Sequence, residues 1–337
     1  MPMNKQIALL GTGAIGASVA RALYLNHVPF TILVRDQRRK DNLLTRGISY
    51  RLKDVTHIEL GNKTSAYQVL TIKEGKKYDY IFLGMKTPHL KVAASTAKKH
   101  LAKGGRIILL QNGLPEKAIR LFHEHEIISG IVGYNTQLMS DGSYFQSNPG
   151  HLILASQSEL PEDLQRALEP HLPVVLSHNA VGFRWNKLAI NSVINGLGAV
   201  TGLALGPLFA RREGRRAAIM LIKEAAAVMR ALGIEEGIVP GAISVYKLAS
   251  LPAIVQHLII YVLGRKYKKI RTSMLQDIEK GLKTEVDEIH GAIVAAAEQA
   301  GVRVPLTRAI VERMHLLETR RTRPDAAALA GLIAAAR

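Results

Sequence analysis

Lys187, Asn191 and Asn195 recur every four residues within the stretch 185–195, which has helical periodicity. At about 100° per residue the three fall near 0°, 40° and 80°, on one stripe. Ala189, Ile190, Val193 and Ile194 cover about 200° to 340° on the same wheel, so the polar stripe borders the apolar one. An ammonium and two amides at the edge of an apolar face suit a pocket for an oxyanion-bearing ligand. The same spacing also describes an ordinary solvated face, so spacing alone leaves both readings open.

A second group capable of chemistry lies at the start of the chain. Gly11-Thr12-Gly13-Ala14-Ile15-Gly16 follows a short apolar run and opens a helical stretch. In that setting the first glycine permits a tight turn, the second a close approach to a pyrophosphate, and the third close packing of helix on strand. The helix N-terminus then receives the anion. The next apolar run, FTILV, ends in Arg35-Asp36, with Arg38, Arg39 and Lys40 beyond. An arginine at that strand end accepts a ribose 2′-phosphate, whereas a carboxylate binds the free 2′-hydroxyl. Arg35 points to NADPH, and Asp36 is the competing NADH signal.

These groups must be held by a scaffold, and its pattern is readable. Ile7–Leu10, Phe30–Val34, Tyr78–Leu83, Ile127–Val132 and the stretches 106–110, 151–155 and 173–176 read as strands. Helical stretches over Ala14–Leu25 and 90–101 alternate with them. That alternation predicts an α/β fold with a parallel, doubly wound sheet. Beyond about residue 180, strand-like runs give way to Ala, Leu and Arg at helical periods. The expected division is a dinucleotide-binding domain over residues 1–180 and an all-α substrate-binding domain over residues 181–337, ending in a helix started by Asp325.

Composition narrows the classes. The 337 residues contain no cysteine, which excludes disulfides, cysteine-ligated metals and a cysteine nucleophile. No metal site is expected. An apolar share of 47% supports a folded core. The net charge of +18 favours anionic ligands, with nucleic acid and anionic membranes among the possibilities. The apolar stretch 251–264 is too short to span a bilayer, which takes about 20 residues, and reads as a buried or partner-facing helix. The glycine spacing in the first 20 residues argues for strand–turn–helix, not a signal peptide. A cytoplasmic protein is expected.

Taken in order, Gly11 to Gly16, Arg35, Met85-Lys86, Gln111-Asn112-Gly113, the K-L-x-x-N-x-x-x-N of Lys187 to Asn195, Ser273-Met274-Leu275-Gln276-Asp277-Ile278 and Thr284-Glu285-Val286-Asp287 resemble the ketopantoate reductase (2-dehydropantoate 2-reductase) family over nearly the whole chain. The resemblance implies a Rossmann-type N-terminal domain, a helical C-terminal domain and NADPH-dependent reduction of ketopantoate to pantoate. It implies Lys187 as the general acid and Glu285 as the second catalytic residue. Asn112, Asn191, Asn195 and Ser273 would bind substrate. The loop Gly11, Thr12, Gly13, Ala14, Ile15 and Gly16, together with Arg35, Lys86 and Asn112, would bind the cofactor. The chemistry is coherent: hydride addition to a 2-oxo acid leaves an alkoxide, which a positioned cation with a transferable proton stabilises and protonates.

Three positions depart from the family pattern. Leu205 and Ile270 stand where members commonly carry asparagine, and Gly196 where proline often follows the second stripe asparagine. The lost amides open the alternative of another branched or bulky 2-oxo acid. A reading from a different class is a non-catalytic NADPH-binding sensor using Arg211, Arg212, Arg215, Arg216, residues 265–271, and Arg320, Arg321 and Arg323 for nucleic acid. Those clusters lack interleaved aromatics, so solvated helix faces are the expectation. The expected partners are thus a small 2-oxo acid and a second copy in a homodimer, with neither nucleic acid nor membrane. Ser273 and Glu285 would lie about 18 Å apart on one straight helix, so the chain must turn between them. Gly281 is the natural break, Thr284 the next cap, and S-x-x-Q from Ser273 a capping box.

Overall fold

The computed structural model describes residues 5–52, 57–60, 67–119 and 121–336. The chain divides into two units, Met1–Ala180 with Val239–Gly241, and Val181–Ile238 with Ala242–Arg337.

Among the described residues the first unit has twelve strands: β1 Ile7–Leu10, β2 Phe30–Val34, β3 Ile48–Leu52, β4 His57–Leu60, β5 Tyr67–Thr71, β6 Tyr78–Leu83, β7 Leu101–Leu109, β8 Ile127–Val132, β9 Asn135–Leu138, β10 Tyr144–Asn148, β11 Leu152–Ala155 and β12 Val174–Ser177. Eight form one sheet in the order β12-β11-β8-β7-β6-β1-β2-β5. From β5 to β8 every pairing is parallel, as the apolar runs predict. Beyond β8 the sheet becomes mixed, because β11 runs antiparallel to β8 while β12 is parallel to β11. The chain leaves β8 for an excursion through β9 and β10 and returns directly beside β8 without a crossover helix, which forces the reversal. That excursion completes a second sheet, β4-β3-β10-β9, which the sequence did not disclose.

Helices α1 (Ala14–Leu25), α2 (Gln37–Arg46), α3 (Leu90–His100) and α4 (Glu162–Leu168) complete this unit. The apolar faces of α1 and α4 and the small sheet share one core with Leu9, Ile32, Phe82 and Ile108. Leu90, Ala93, Ala94 and Ala97 of α3 cover the other face with Ala8, Ile81 and Ile107. Helices on both faces explain why the central strands read as continuous apolar runs and not as alternating ones.

The second unit is helical. Its elements are α5 (Ala180–Asn191, the first residue belonging to the first unit), α6 (Leu197–Thr201), α7 (Leu205–Ala210), α8 (Arg212–Ala231), α9 (Val245–Ser250), α10 (Ala253–Lys266), α11 (Ser273–Glu279), α12 (Ala292–Ala300), α13 (Pro305–Glu318) and α14 (Ala328–Ala335). Two widened π-turns interrupt the α-helical phase. Ser192–Gly196 joins α5 to α6, and Asp287–Gly291 leads into α12. Ala217, Leu221, Ile222, Ala225 and Met229 bury one face of α8. The apolar stretch 251–264 becomes α10, and it is not swallowed by the core: Ile254, Leu258 and Val262, four residues apart, all face solvent, Ile254 at 80% exposure. No helix among the described residues is long and apolar enough to cross a membrane.

Candidate active site

In the first unit the carboxyl ends of the parallel strands collect the expected cofactor residues. β1 delivers Gly11 to Gly16, β2 delivers Arg35, β6 delivers Lys86 and β7 delivers Asn112. This is the edge at which open parallel sheets bind ligands. Gly11 has φ +90°, a conformation that glycine adopts without strain. The other glycines are needed for packing more than the motif alone suggests. A Cβ on Gly13 would stand 2.5 Å from the Gly84 carbonyl oxygen, and one on Gly16 2.6 Å from that of Gly11. Gly84, at the end of β6, is the reciprocal member: its own Cβ would meet the Gly11 carbonyl at 2.6 Å. Gly84 was missed because no motif spacing marks it, although a glycine closing an apolar strand was the available signal.

The loop fits a dinucleotide. Gly13 heads α1 without a side-chain cap and no acidic residue stands in the first turn, so the helix N-terminus suits an anion. Tyr144 Oη donates to the Thr12 carbonyl at 2.6 Å and pins the loop. Asp36 is committed locally: it starts α2, its Oδ1 accepting from Arg39 N at 3.0 Å and its Oδ2 from Arg35 Nε at 3.3 Å. The Arg39 N–H and the Arg35 guanidinium hold its carboxyl below the usual range. Arg35 itself extends into solvent. Lys86 is exposed and precedes the short turn Thr87–His89. Asn112 is partly buried beside Gly113, whose φ is +77°. Gln111 ties the strand ends together, its Nε2 donating to the carbonyls of Leu83 at 2.8 Å and Met85 at 2.9 Å.

In the second unit, Lys187, Asn191 and Asn195 ride on α5 and the π-turn that follows. The uniform helical wheel holds only as far as Asn191. A π-turn inserts one residue, which sets everything beyond it back by about 100°. Asn195 consequently lies inside the unit, 6% exposed, instead of on the stripe's edge, while Lys187 and Asn191 remain partly accessible. Ser273 Oγ donates to Asn195 Oδ1 at 3.5 Å, a long contact that brings the second stripe asparagine to the start of α11.

The expected capping box is replaced by a single side-chain cap one residue earlier. Thr272, not Ser273, starts α11, its Oγ1 accepting from Leu275 N at 3.4 Å. Ser273 is the first helical residue, so its hydroxyl is released for Asn195. The chain does break at Gly281, φ +67°, immediately after α11. Thr284 Oγ1 accepts from Val286 N at 3.2 Å and donates to Glu318 at 2.7 Å, anchoring the next helix. At the far end of the chain, Asp325 Oδ1 accepts from Ala327 N at 2.9 Å, just ahead of α14.

Lys187 has its ammonium drawn down to about 7, chiefly by desolvation and secondly by the Arg184 guanidinium, with the Glu285 carboxylate pulling the other way. An amine poised near neutrality can both donate a proton and be recharged. Arg184 is 3% exposed and sits one helical turn before Lys187. It was passed over in the sequence because an arginine in a basic chain carries no distinguishing mark. The two apolar departures are neighbours, Leu205 N donating to the Ile270 carbonyl at 3.1 Å. Leu205 is buried at the start of α7. The third departure, Gly196, has a steric reason: a Cβ there would come within 2.3 Å of His290 Nε2.

Residues 7–159 match the family described as ketopantoate reductase PanE/ApbA, and residues 179–318 its C-terminal part. The 2-dehydropantoate 2-reductase of Archaeoglobus fulgidus is 23% identical over 325 residues, 94% of this chain and 98% of that one. Among solved structures, a PanE/ApbA family ketopantoate reductase from Ralstonia eutropha superposes with a TM-score of 0.77 at 21% identity, covering 94% of this chain and 99% of that one. D-mandelate dehydrogenase with NADH and anilino(oxo)acetate reaches 0.76 at 18% identity, covering 94% and 98%.

Proposed function

The chain belongs to the ketopantoate reductase family and is an oxidoreductase, and we propose that it reduces ketopantoate to pantoate with NADPH in the cytoplasm. The observation that carries this reading is Lys187, desolvated to a pKa of about 7 within electrostatic reach of Glu285. Bound NADPH supplies the hydride. Lys187 presents its ammonium to the carbonyl oxygen, stabilises the negative charge that develops there and gives up a proton to it. Glu285 favours the charged form of Lys187 and so keeps the acid loaded. Asn191, Asn195 and Ser273 hold the oxygens of the acid without adding charge, and Asn112 is the further amide that the family resemblance assigns to substrate. Arg35 and Lys86 bind the phosphate of the adenosine half, an assignment supported by the engagement of Asp36 as a helix cap.

A second 2-oxo acid is favoured by a specific observation. Ile270, only partly buried, offers no side-chain amide where many family members carry one, which supports a substrate without a hydroxylated tail. The reading extends to a homodimer, supported by the aliphatic ridge on α10. Purified protein assayed for NADPH oxidation with ketopantoate, 2-oxoisovalerate and an aromatic 2-oxo acid tests the proposal. Turnover of ketopantoate is expected. Efficient reduction of only the others transfers the assignment to them, and no turnover with any defeats it.

A further inference from the structure

His290 has no part in the chemistry above, yet it is fully buried in the second unit and touches the backbone of the turn that carries Asn195. Its Nε2 lies 2.8 Å from the Ser192 carbonyl oxygen. A carbonyl only accepts, so Nε2 carries the hydrogen and Nδ1 is the bare nitrogen. Nδ1 is buried with no hydrogen-bond partner in the structure. Burial drives the imidazole down to about 4, so the ring is neutral wherever Lys187 can work. A ring with one stranded nitrogen is a poor filler, because a buried unpaired acceptor is destabilising where an apolar side chain of similar size is not.

The geometry around it explains its retention. His290 belongs to the π-turn Asp287–Gly291, and the carbonyl it holds begins the π-turn Ser192–Gly196. Gly196 leaves the space that the ring occupies: an added Cβ would meet Nε2 at 2.3 Å and Cε1 at 2.8 Å. Ile310 closes the far side, 3.2 Å from the same point. Two widened turns therefore face each other through one imidazole. The one at Ser192–Gly196 decides the direction of Asn195, which Ser273 contacts.

We propose that His290 is a positioning residue for substrate recognition: by holding the Ser192 carbonyl in the space left by Gly196, it keeps the Ser192–Gly196 turn widened and Asn195 directed toward Ser273. The inference rests on the reading that Asn195 and Ser273 bind a 2-oxo acid. His290→Leu removes the donor, and His290→Gln returns an N–H at similar reach. With the best 2-oxo acid of the panel, His290→Leu is expected to raise KM about tenfold or more while kcat falls less than threefold and KM for NADPH stays within twofold. His290→Gln should recover most of the loss. Unchanged KM in a folded His290→Leu protein overturns the proposal, as does an equal loss against acid and cofactor. If His290→Leu does not fold, Gly196→Ala presses a methyl group on the ring and should give the same KM signature; normal kinetics in it also overturns the proposal. A wild-type protein that reduces no 2-oxo acid defeats the functional reading instead. The crystal structure of His290→Leu then decides the positioning role: a turn that reverts to regular α-helix supports it, and an unchanged π-turn refutes it.

Discussion

At the scale of single residues, the site turns on one amine and the charges around it. Lys187→Ala should lower the turnover number by about 10²–10⁴, the range expected for a lost general acid, with NADPH binding retained. Because the ammonium is the active form, kcat/KM should fall as pH rises through about 7. Arg184 helps to depress that value, so Arg184→Met should move the falling limb to higher pH; an unmoved limb would separate Arg184 from Lys187. Arg35→Ala should weaken NADPH more than NADH by about 1.5–3 kcal/mol, the worth of one charge-assisted contact, as measured by paired binding titrations. The types and spacing of Lys187 and Asn191 were legible from the sequence. The burial of Asn195 was not, because a uniform 100° step has no place for an inserted residue. The release of Ser273 from capping was also hidden, since by type Ser273 is a stronger cap than the Thr272 that performs it.

At the scale of elements, the strands buried on both faces announced themselves as apolar runs, and the break at Gly281 followed from distance once the resemblance assigned both Ser273 and Glu285 to the site. Strands β3, β4, β5, β9 and β10 escaped because short sequences such as YQVLT look like exposed loops until a partner strand is found. Leu205 illustrates how an element reinterprets a residue. Its side chain packs in the interior while its N–H holds Ile270, so Leu205→Asn should destabilise the protein by about 1–3 kcal/mol through a buried amide, and should not improve ketopantoate binding. Ile270 is only partly buried, which makes Ile270→Asn the substitution able to supply a donor. Denaturant melts and KM values on the two variants check this contrast. The paired π-turns also carry a pH signature. His290 is held near 4 in the folded protein against 6.5 unfolded, so between those values the unfolded chain binds the additional proton. The contribution is complete above pH 6.5 and is lost as pH falls toward 4, about 3 kcal/mol in all. Chemical denaturation across that window should show a drop that His290→Gln lacks.

At the scale of the whole molecule, the aliphatic ridge of Ile254, Leu258 and Val262 is the feature that a monomer leaves unexplained. If it pairs with a second copy, sedimentation should show a dimer that Ile254→Asp with Leu258→Asp converts to monomer, with the far-ultraviolet spectrum unchanged. A monomeric wild type would remove the homodimer from the reading. The division of the chain has a consequence of its own. Because Val239–Gly241 returns to the first unit from within the helical one, the polypeptide passes between units three times, not once. Val239 is buried, and its Cγ1 stands 2.9 Å from where a side chain on Gly133 would begin. A gene fragment ending at residue 180 would thus lack a plug that the intact first unit owns, worth about 1.5–3 kcal/mol for one buried valine. Modular exchange of one half of the chain between relatives would therefore have to move Val239–Gly241 together with residues 1–180.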